Sequence, residues 1–501
     1  MKKVLLVILD GFGINKGNEG NVLKEAQTPN LDEYMTSYPT AELAASGEEL
    51  GLGKRQAGDS EVSHMIIGSG RVVEQPLSII NNKIKSKEFF ENEVLGRVMN
   101  HVNKNASTLH LIGLLSTSEV NSSVNHFYAA LAMAKLYKVE RVCLHFITDG
   151  RDSGPTSAKQ TISDFMKKVE KLNLGEIATI SGRYYAMDRD ENPDRTKSVY
   201  DTMVYGMGNT FKTFESCLDR HYERNITDEF INPCIINKFK PIQKNDGIIF
   251  INFRPEKIGQ LIEALTNKNF KLFQTKQLDN LKVASLFKLN NRVPYAYDLH
   301  ELKDTFGQYI DSLDFTQSRI AESEKFEHVT TYFDGGQDLS SNNCSKFCIP
   351  SPTNKNYAEK PEMSVGEVTQ TAFNEIENDK DFILVNFSNA DSVAHTGDLK
   401  ATKTAIEIVD FCLGKLVEKA KDYFYEVVIT SDHGFVEQMM DKTGNYTTKH
   451  TTNKVPFIIC NETYKIKNTG TLADVIPTIT DIYEIKKPDS MTGNSLIIKE
   501  E

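Results

Sequence analysis

Two kinds of polar cluster recur where short apolar runs of this chain end, and they suit two kinds of chemistry. Asp10 follows Val4–Leu9, and Asp391 follows Ile383–Phe387 with His395 four residues on. Asp432-His433 follow Val427–Ile429, and His450 lies in the Thr/Asn-rich run Lys449-His450-Thr451-Thr452-Asn453. Asp391 and His395 stand one helical turn apart, so both can bind one cation. Neighbours on a strand point oppositely, so a turn after Val427–Ile429 could aim Asp432 and His433 at two different ions. Each Asp alone reads as a cap or turn residue, and each His as a surface residue. Together, so many carboxylates and imidazoles suit two ions about 3.5–4 Å apart, an arrangement fit for phosphoryl transfer. An oxygen and nitrogen ligand set without thiolate fits Mn²⁺, Zn²⁺ or Mg²⁺, the first two better matched to imidazole.

The second kind of cluster is rich in Arg. Arg151 lies beyond Val142–Ile147, Arg183 beyond Ile177–Ile180 and Arg254 after Ile248–Phe253, with Arg189 close behind Arg183. Forked guanidinium groups bind carboxylate and phosphate through paired hydrogen bonds. The two clusters point to metal-dependent chemistry on a phosphorylated small molecule. Its candidate nucleophile is Ser60, in Gly58-Asp59-Ser60-Glu61-Val62-Ser63-His64. A hydroxyl residue opening a short helix is by default its N-cap, and this segment by itself favours that reading. The same place suits a nucleophile, because helix-end N–H groups meet an incoming phosphate.

Elements that could hold these residues follow from patterning. β-branched runs, Leu109–Leu115 among them, alternate with helical patterns, which predicts parallel strands of an α/β fold. Ligands in such sheets bind beyond the carboxyl ends of the strands, where these polar residues fall. Ala405, Ile408, Val409, Cys412 and Leu416 share one helical face, as do Ile162, Phe165, Val169 and Leu172. The metal-type residues occupy the two chain ends and the Arg-type residues lie between. This order predicts a middle domain inserted into a discontinuous outer one, with boundaries near Val73–Gln75 and Tyr297–Lys303. We expect residues 1–74 and 303–501 to form the outer domain and 75–302 the insert.

Composition agrees with this and narrows the partners. A chain of 501 residues exceeds one ordinary core, and 39% hydrophobic with 25% charged residues is a globular balance. A net charge of −11 leaves no basic surplus for nucleic acid, although an Arg pocket can still hold a small anion. The apolar start is cut short by Asp10, Gly11 and Gly13, so it reads as a first strand, and no run is long enough to span a membrane. The seven cysteines are scattered and odd in number. Cys344-x3-Cys348 has no second pair to complete a zinc site, so all read as reduced thiols of a cytoplasmic protein.

The motifs now in view resemble the cofactor-independent (2,3-bisphosphoglycerate-independent) phosphoglycerate mutases of the alkaline phosphatase superfamily, over nearly the whole chain. Carrying the resemblance are Leu9-Asp10-Gly11-Phe12-Gly13, Gly58-Asp59-Ser60-Glu61, Asp149-Gly150-Arg151-Asp152 and the run from Ser181 through Arg183 to Arg189. So do Asn252-Phe253-Arg254-Pro255, Ala321-Glu322-Ser323-Glu324-Lys325, Asn389-Ala390-Asp391, Ser431-Asp432-His433-Gly434 and His450-Thr451-Thr452-Asn453. The resemblance implies one ion on Asp391, His395 and His450, and a second on Asp10, Ser60, Asp432 and His433. It makes Ser60 the phosphorylated nucleophile, with Lys325 beside it. Asn121, Arg151, Asp152, Arg183, Arg189, Arg254, Lys257 and Lys325 would then hold phosphoglycerate. The implied enzyme interconverts 3- and 2-phosphoglycerate through a phosphoserine with two divalent ions, Mn²⁺ above all, and no 2,3-bisphosphoglycerate. It would be a glycolytic monomer that needs no nucleic acid or membrane. A metal-dependent phosphatase, or a mutase for another phosphosugar, is the alternative within the superfamily.

Three departures from the family pattern bear on substrate handling. Val120-Asn121-Ser122-Ser123 stands where the family usually reads Val-His-Ser-His. Asn121 can donate a hydrogen bond but cannot carry charge, and nearby His126 is expected at the surface. Lys257 replaces the second Arg of Asn-Phe-Arg-Pro-x-Arg, which keeps charge but loses the fork. Asp59 and Ser63 replace the customary Asn and Gly flanking Ser60.

Overall fold

The computed structural model describes residues 2–53, 56–188, 192–254, 258–298, 302–353, 356–441 and 444–499. Ten strands come first in chain order: β1 Lys3–Leu9, β2 Thr40–Ala44, β3 Leu109–Leu114, β4 Val142–Thr148, β5 Glu176–Gly182, β6 Asn209–Phe211, β7 Cys234–Ile236, β8 Gly247–Phe250, β9 Lys282–Phe287 and β10 Tyr295–Tyr297. Then follow β11 Gln317–Glu322, β12 Cys344–Ile349, β13 Phe382–Phe387, β14 Tyr425–Thr430, β15 Val455–Ile459 and β16 Thr469–Thr471. Helices connect them, so the fold class is α/β, and the chain divides into two compact units. One is Met1–Glu74 with His300–Glu501, and the other is Gln75–Leu299.

In the discontinuous unit the sheet order is β12-β11-β13-β1-β14-β15-β2-β16. β1 lies at its centre, parallel to β13 on one side and β14 on the other. The reason is burial on both faces: Val4, Leu6 and Ile8 enter one core cluster, while Leu5, Val7 and Leu9 enter the other. A continuous apolar run is what a strand covered on both sides needs. On one face β1 packs against Ile66 and Ile67 of the helix Ser60–Ser69. On the other it meets the 24-residue helix Leu399–Asp422 through Ile406, Val409, Leu413 and Leu416. Antiparallel pairing enters only beyond β14, where β15 joins β14 to β2.

The inserted unit carries a second sheet, ordered β10-β9-β8-β3-β4-β5-β7-β6. From β3 the chain steps to β4 and β5 in one direction, and later from β8 to β9 and β10 in the other. The gap between the carboxyl ends of β3 and β8 is therefore a topological switch point, where α/β sheets form ligand crevices. All seven cysteines are free. Among the described residues no helix is long and apolar enough to cross a membrane.

One titratable group shows how this packing acts on stability. Glu322, at the end of β11, is buried and accepts the Ser364 N–H at 2.9 Å. Burial pushes its carboxyl up to about 7. The folded state thus favours the neutral acid: its contribution is complete below the ordinary carboxyl range and is lost as pH rises through 7. Glu322→Gln cannot ionise, so in metal-free protein it should gain about 2 kcal/mol on the wild type between pH 5 and pH 8. Denaturant midpoints at both pH values check this, and an unchanged gap contradicts it.

Candidate active site

Because β13, β1 and β14 run side by side in parallel, the residues after them gather at one edge: Asp391, Asp10 and Asp432. Short backbone links lock the three turns. Asp10 N–H donates to Phe387 O at 3.1 Å, and Gly11 N–H to Asp432 Oδ1 at 3.2 Å. Gly11 has φ +83°, and a Cβ there would lie 3.2 Å from the Asp391 Cβ, so only glycine fits between these two turns.

Two sets of ligand-type atoms face each other across this edge. In the first, Asp391 Oδ1 is 3.4 Å from both His395 Nε2 and His450 Nε2, which are 3.2 Å apart. Donor atoms about 2.1 Å from one ion at tetrahedral angles stand about 3.4 Å from one another, so this triangle fits one first-row cation. In the second, His433 Nε2 lies 3.6 Å from Asp10 Oδ1, 3.4 Å from Asp432 Oδ2 and 2.9 Å from Ser60 Oγ. Asp391 Oδ1 and Asp432 Oδ2 are buried and accept no hydrogen bond. Buried carboxylate oxygens without donors are what a cation would satisfy. The residues present fit two divalent ions. Asp432 and His433 do not diverge as neighbours on a strand would. The chain has left β14 by then, and both side chains lie beside Asp10.

Ser60 is not the helix cap that its segment suggests. Asp59, one residue earlier, takes that role by accepting the Val62 N–H at 2.9 Å. Ser60 becomes the first helical residue, and its hydroxyl is left free to enter the cluster. Lys325 Nζ donates to Ser60 Oγ at 2.7 Å and reaches Asp10 Oδ1 at 3.1 Å and Asp391 Oδ2 at 2.8 Å. One ammonium thus touches the serine and a carboxylate of each set.

The inserted unit carries Asn121 and Arg254 beyond β3 and β8, at its switch point, and Arg151 and Arg183 beyond the adjoining strands β4 and β5. Arg183, opening the helix after β5, reaches Asp149 Oδ1 at 2.6 Å and Asp152 Oδ2 at 2.5 Å. Asn121 Nδ2 donates to the same Asp152 oxygen at 3.1 Å, and the Asn121 carbonyl accepts the Phe253 N–H at 2.9 Å. Asn121, Asp152 and Arg183 therefore form one network, with half-buried Arg254 just after Phe253. Arg151 is exposed nearby, its N–H 3.3 Å from Asp149 Oδ1. Arg189 and Lys257 lie outside the described residues.

Comparison with known proteins matches both parts. The family model "BPG-independent PGAM N-terminus" matches residues 80–291, and "Type I phosphodiesterase / nucleotide pyrophosphatase" matches residues 254–488. The 2,3-bisphosphoglycerate-independent phosphoglycerate mutase of Clostridium kluyveri is 44% identical over 99% of both chains, and that of Clostridium tetani 43% over the same shares. This chain belongs to the 2,3-bisphosphoglycerate-independent phosphoglycerate mutase family. A Leishmania mexicana phosphoglycerate mutase, determined at low cobalt concentration, has the same fold: TM-score 0.75 and 26% identity over 100% of this chain and 98% of that one.

Several residues of this family member's site were not singled out from sequence. His64 is fully buried, and its Nδ1–H donates to Ser60 O at 2.8 Å. Its Nε2 accepts from Asn386 Nδ2 at 3.3 Å, and that amide also donates to Asp10 Oδ2 at 3.0 Å. Burial pushes His64 down to about 4, so it supports Ser60 and Asp10 as a neutral ring. The available signals were the spacing of four from Ser60, and one Asn interrupting the apolar run of β13. His126 is a correction: it is buried rather than at the surface. Its Nε2 meets Asn81 Oδ1 at 3.0 Å, its ring packs edge-on against Phe253, and burial pushes it down to about 3. It supplies no charge in place of the family's usual histidine.

Electrostatics at the metal-type cluster are dominated by like charge. Burial, and then the neighbouring Asp432, push the Asp10 carboxyl up. Burial opposes charge on Lys325 as well, but Asp10 and Asp391 outweigh it and hold the ammonium protonated. Without that ammonium three buried carboxylates face one another uncompensated. Lys325→Met should therefore destabilise metal-free protein by about 3 kcal/mol at pH 8, as loss of one partner of a buried pair does. Saturating Mn²⁺ should recover part of the loss. Equal denaturation midpoints for variant and wild type in chelator would contradict this account.

Proposed function

We propose that this enzyme interconverts 3-phosphoglycerate and 2-phosphoglycerate by passing the phosphoryl group to Ser60 and back. The observation that carries the reading is the position of Ser60 Oγ, 2.7 Å from Lys325 Nζ and 2.9 Å from His433 Nε2. In this reading Asp391, His395 and His450 hold one divalent ion, and Asp10, Ser60, Asp432 and His433 the other. Two ions, Mn²⁺ by the ligand mix, would supply Lewis acidity to the serine hydroxyl and to the phosphoryl oxygens. Lys325 orients Ser60 Oγ and balances charge as its proton is lost. The P–O bond to the glycerate breaks as the P–O bond to Ser60 forms, and the proton given up by Ser60 ends on the glycerate oxygen. The glycerate then turns, and its other hydroxyl attacks the phosphoserine: a P–O bond to that oxygen forms as the P–O bond to Ser60 breaks, and the hydroxyl proton returns to Ser60 Oγ. Positioning and charge stabilisation provide most of the acceleration in such transfers.

The Asn121, Asp152 and Arg183 network, with Arg151 and Arg254, supplies the grip on phosphoglycerate. Asp152 holds the Arg183 fork in place, and Asn121 Oδ1 is buried without a hydrogen-bond partner. A substrate hydroxyl would satisfy that oxygen. Arg189 and Lys257 complete the set by their place in the motifs. We also infer a cytoplasmic monomer acting on this small molecule in glycolysis.

A coupled enolase assay with and without Mn²⁺ tests the reading: 2-phosphoglycerate supports it, while release of free phosphate alone supports a phosphatase. Ser60→Ala should cost on the order of 10⁴-fold in turnover, and wild type should carry a substrate-derived phosphate on Ser60 by mass spectrometry. An adduct on another residue rules the assignment out. Asn121→Ala should raise KM by roughly 10-fold while Ser60 phosphorylation persists, since one hydrogen bond is lost and no metal ligand is. Asn121→His should shift affinity modestly. A nearly inactive wild type rescued by Asn121→His would instead make a charged imidazole indispensable there.

A further inference from the structure

The loops that carry the metal-type residues are tied together by a carboxylate that belongs to neither ligand set. Glu437 is fully buried, and no cation pairs with it among the described residues. Its Oε2 accepts the Gly13 N–H at 3.1 Å and the Phe435 N–H at 2.7 Å. Its Oε1 accepts from the Thr451 hydroxyl and from Asn453 Nδ2, the latter at 2.9 Å. Those donors sit on three separate segments. Gly13 is three residues from Asp10, Phe435 is two from His433, and Thr451 follows His450 directly. One carboxyl group thus fixes the relative positions of residues from both ligand sets.

The surrounding backbone is shaped around this group. A Cβ on Gly13 would lie 2.3 Å from the Glu437 carboxyl carbon. A Cβ on Gly434 would lie 2.5 Å from Glu437 Oε1 and 2.3 Å from Thr451 Oγ1. Both glycines are therefore required by the approach to Glu437, not by a turn. The loops also bond directly, Val436 N–H to Gly11 O at 3.1 Å and Thr451 N–H to Gly434 O at 2.9 Å. Phe435, held by its own N–H, packs its ring 4.8 Å from that of His395 and 5.3 Å from that of His450. Four donors on one carboxyl group hold both of its oxygens in fixed directions, and shortening the side chain by one methylene would break the bonds on at least one side.

We propose that Glu437 is the positioning residue that sets the spacing of the two metal-ligand sets, acting through Gly13, Phe435, Thr451 and Asn453. The inference rests on the two-ion reading above. Partners behind metal ligands typically govern affinity by 10–100-fold, and Glu437 is placed to act on both ions at once.

The test uses the full chain, stripped of metal and titrated with Mn²⁺ by equilibrium dialysis. Wild type should bind two ions; fewer than two overturns the two-ion reading and the role of Glu437 with it. Given two ions in wild type, Glu437→Asp should bind both about 10-fold or more weakly. Excess Mn²⁺ should then restore kcat while KM for phosphoglycerate stays within about twofold of wild type. Glu437→Gln, which keeps length and one acceptor, should fall between them. Thr451→Ala, which removes one of the four donors, should weaken Mn²⁺ binding in the same direction and decides the matter if Glu437→Asp fails to fold. Wild-type Mn²⁺ affinity in folded Glu437→Asp or in Thr451→Ala overturns the proposal, as does a KM change that excess Mn²⁺ leaves in place.

Discussion

Crowding of buried negative charge is the constraint on which the rest of this structure depends. Asp10, Asp391 and Asp432 are each at most 2% exposed, and they emerge from neighbouring strands at one edge of one sheet. Such a group is tolerated only with cations, hydrogen bonds or protons to balance it. Lys325 supplies one positive charge, Gly11 N–H and Asn386 supply hydrogen bonds, and burial raises the Asp10 and Asp432 carboxyls toward the protonated form. What remains is a set of oxygens and imidazole nitrogens spaced for divalent ions. A cation bound there would offset a cost that the fold already carries. Ser60 inherits its environment from the same balance, because its hydroxyl meets the ammonium that the carboxylates hold.

The inserted unit solves a different electrostatic problem. Arg183 is buried and needs carboxylates, and Asp149 and Asp152 meet it in short ion pairs. Asp149 is fixed in turn by the Ser116 hydroxyl at 2.6 Å and by two backbone N–H groups of its own turn. A guanidinium so held has lost its rotamer freedom before any ligand arrives, which lowers the entropy cost of binding. Replacing the family's usual histidine by Asn121 fits this arrangement. The amide donates to Asp152 and keeps one acceptor free without adding a charge beside Arg183.

Residues were legible in the sequence to the degree that their partners are local or their burial is uniform. β1, β13 and β14 stood out because strands covered on both faces must be apolar throughout, and β3, β4, β5 and β8 for the same reason. β12 did not: Cys344–Ile349 is only partly buried at the sheet edge, so nothing in its composition marks it. From its segment alone Ser60 reads as a cap because Asp and Ser cap equally well, and only the backbone decides between adjacent candidates. His126 looked like a surface residue because burial of a neutral imidazole depends on Asn81 and Phe253, which are distant in sequence. Asn386 shows only as a polar break in an apolar run, since its partner Asp10 lies 376 residues away. For Glu437 the donor Gly13 lies 424 residues away, so no local pattern records that link.

Those separations also explain how the chain order serves the site. β1 is the first strand made, yet its neighbours β13 and β14 come more than 370 residues later, with Val4 paired to Phe382 on one side and to Glu426 on the other. Contacts so far apart in sequence require loop closure before they are rewarded, and they form late relative to local structure. Asp10 meets Asp391 and Asp432 only through that long-range pairing, and the late part of the chain that brings them also carries Lys325 and His450. An insertion between β2 and β11 does not disturb this logic, because it lengthens a connection without separating any two strands of the sheet. Its cost grows only with the logarithm of the added length. A second sheet with its own arginine network can thus be carried inside the first domain while the central strands, and the site at their ends, keep their register.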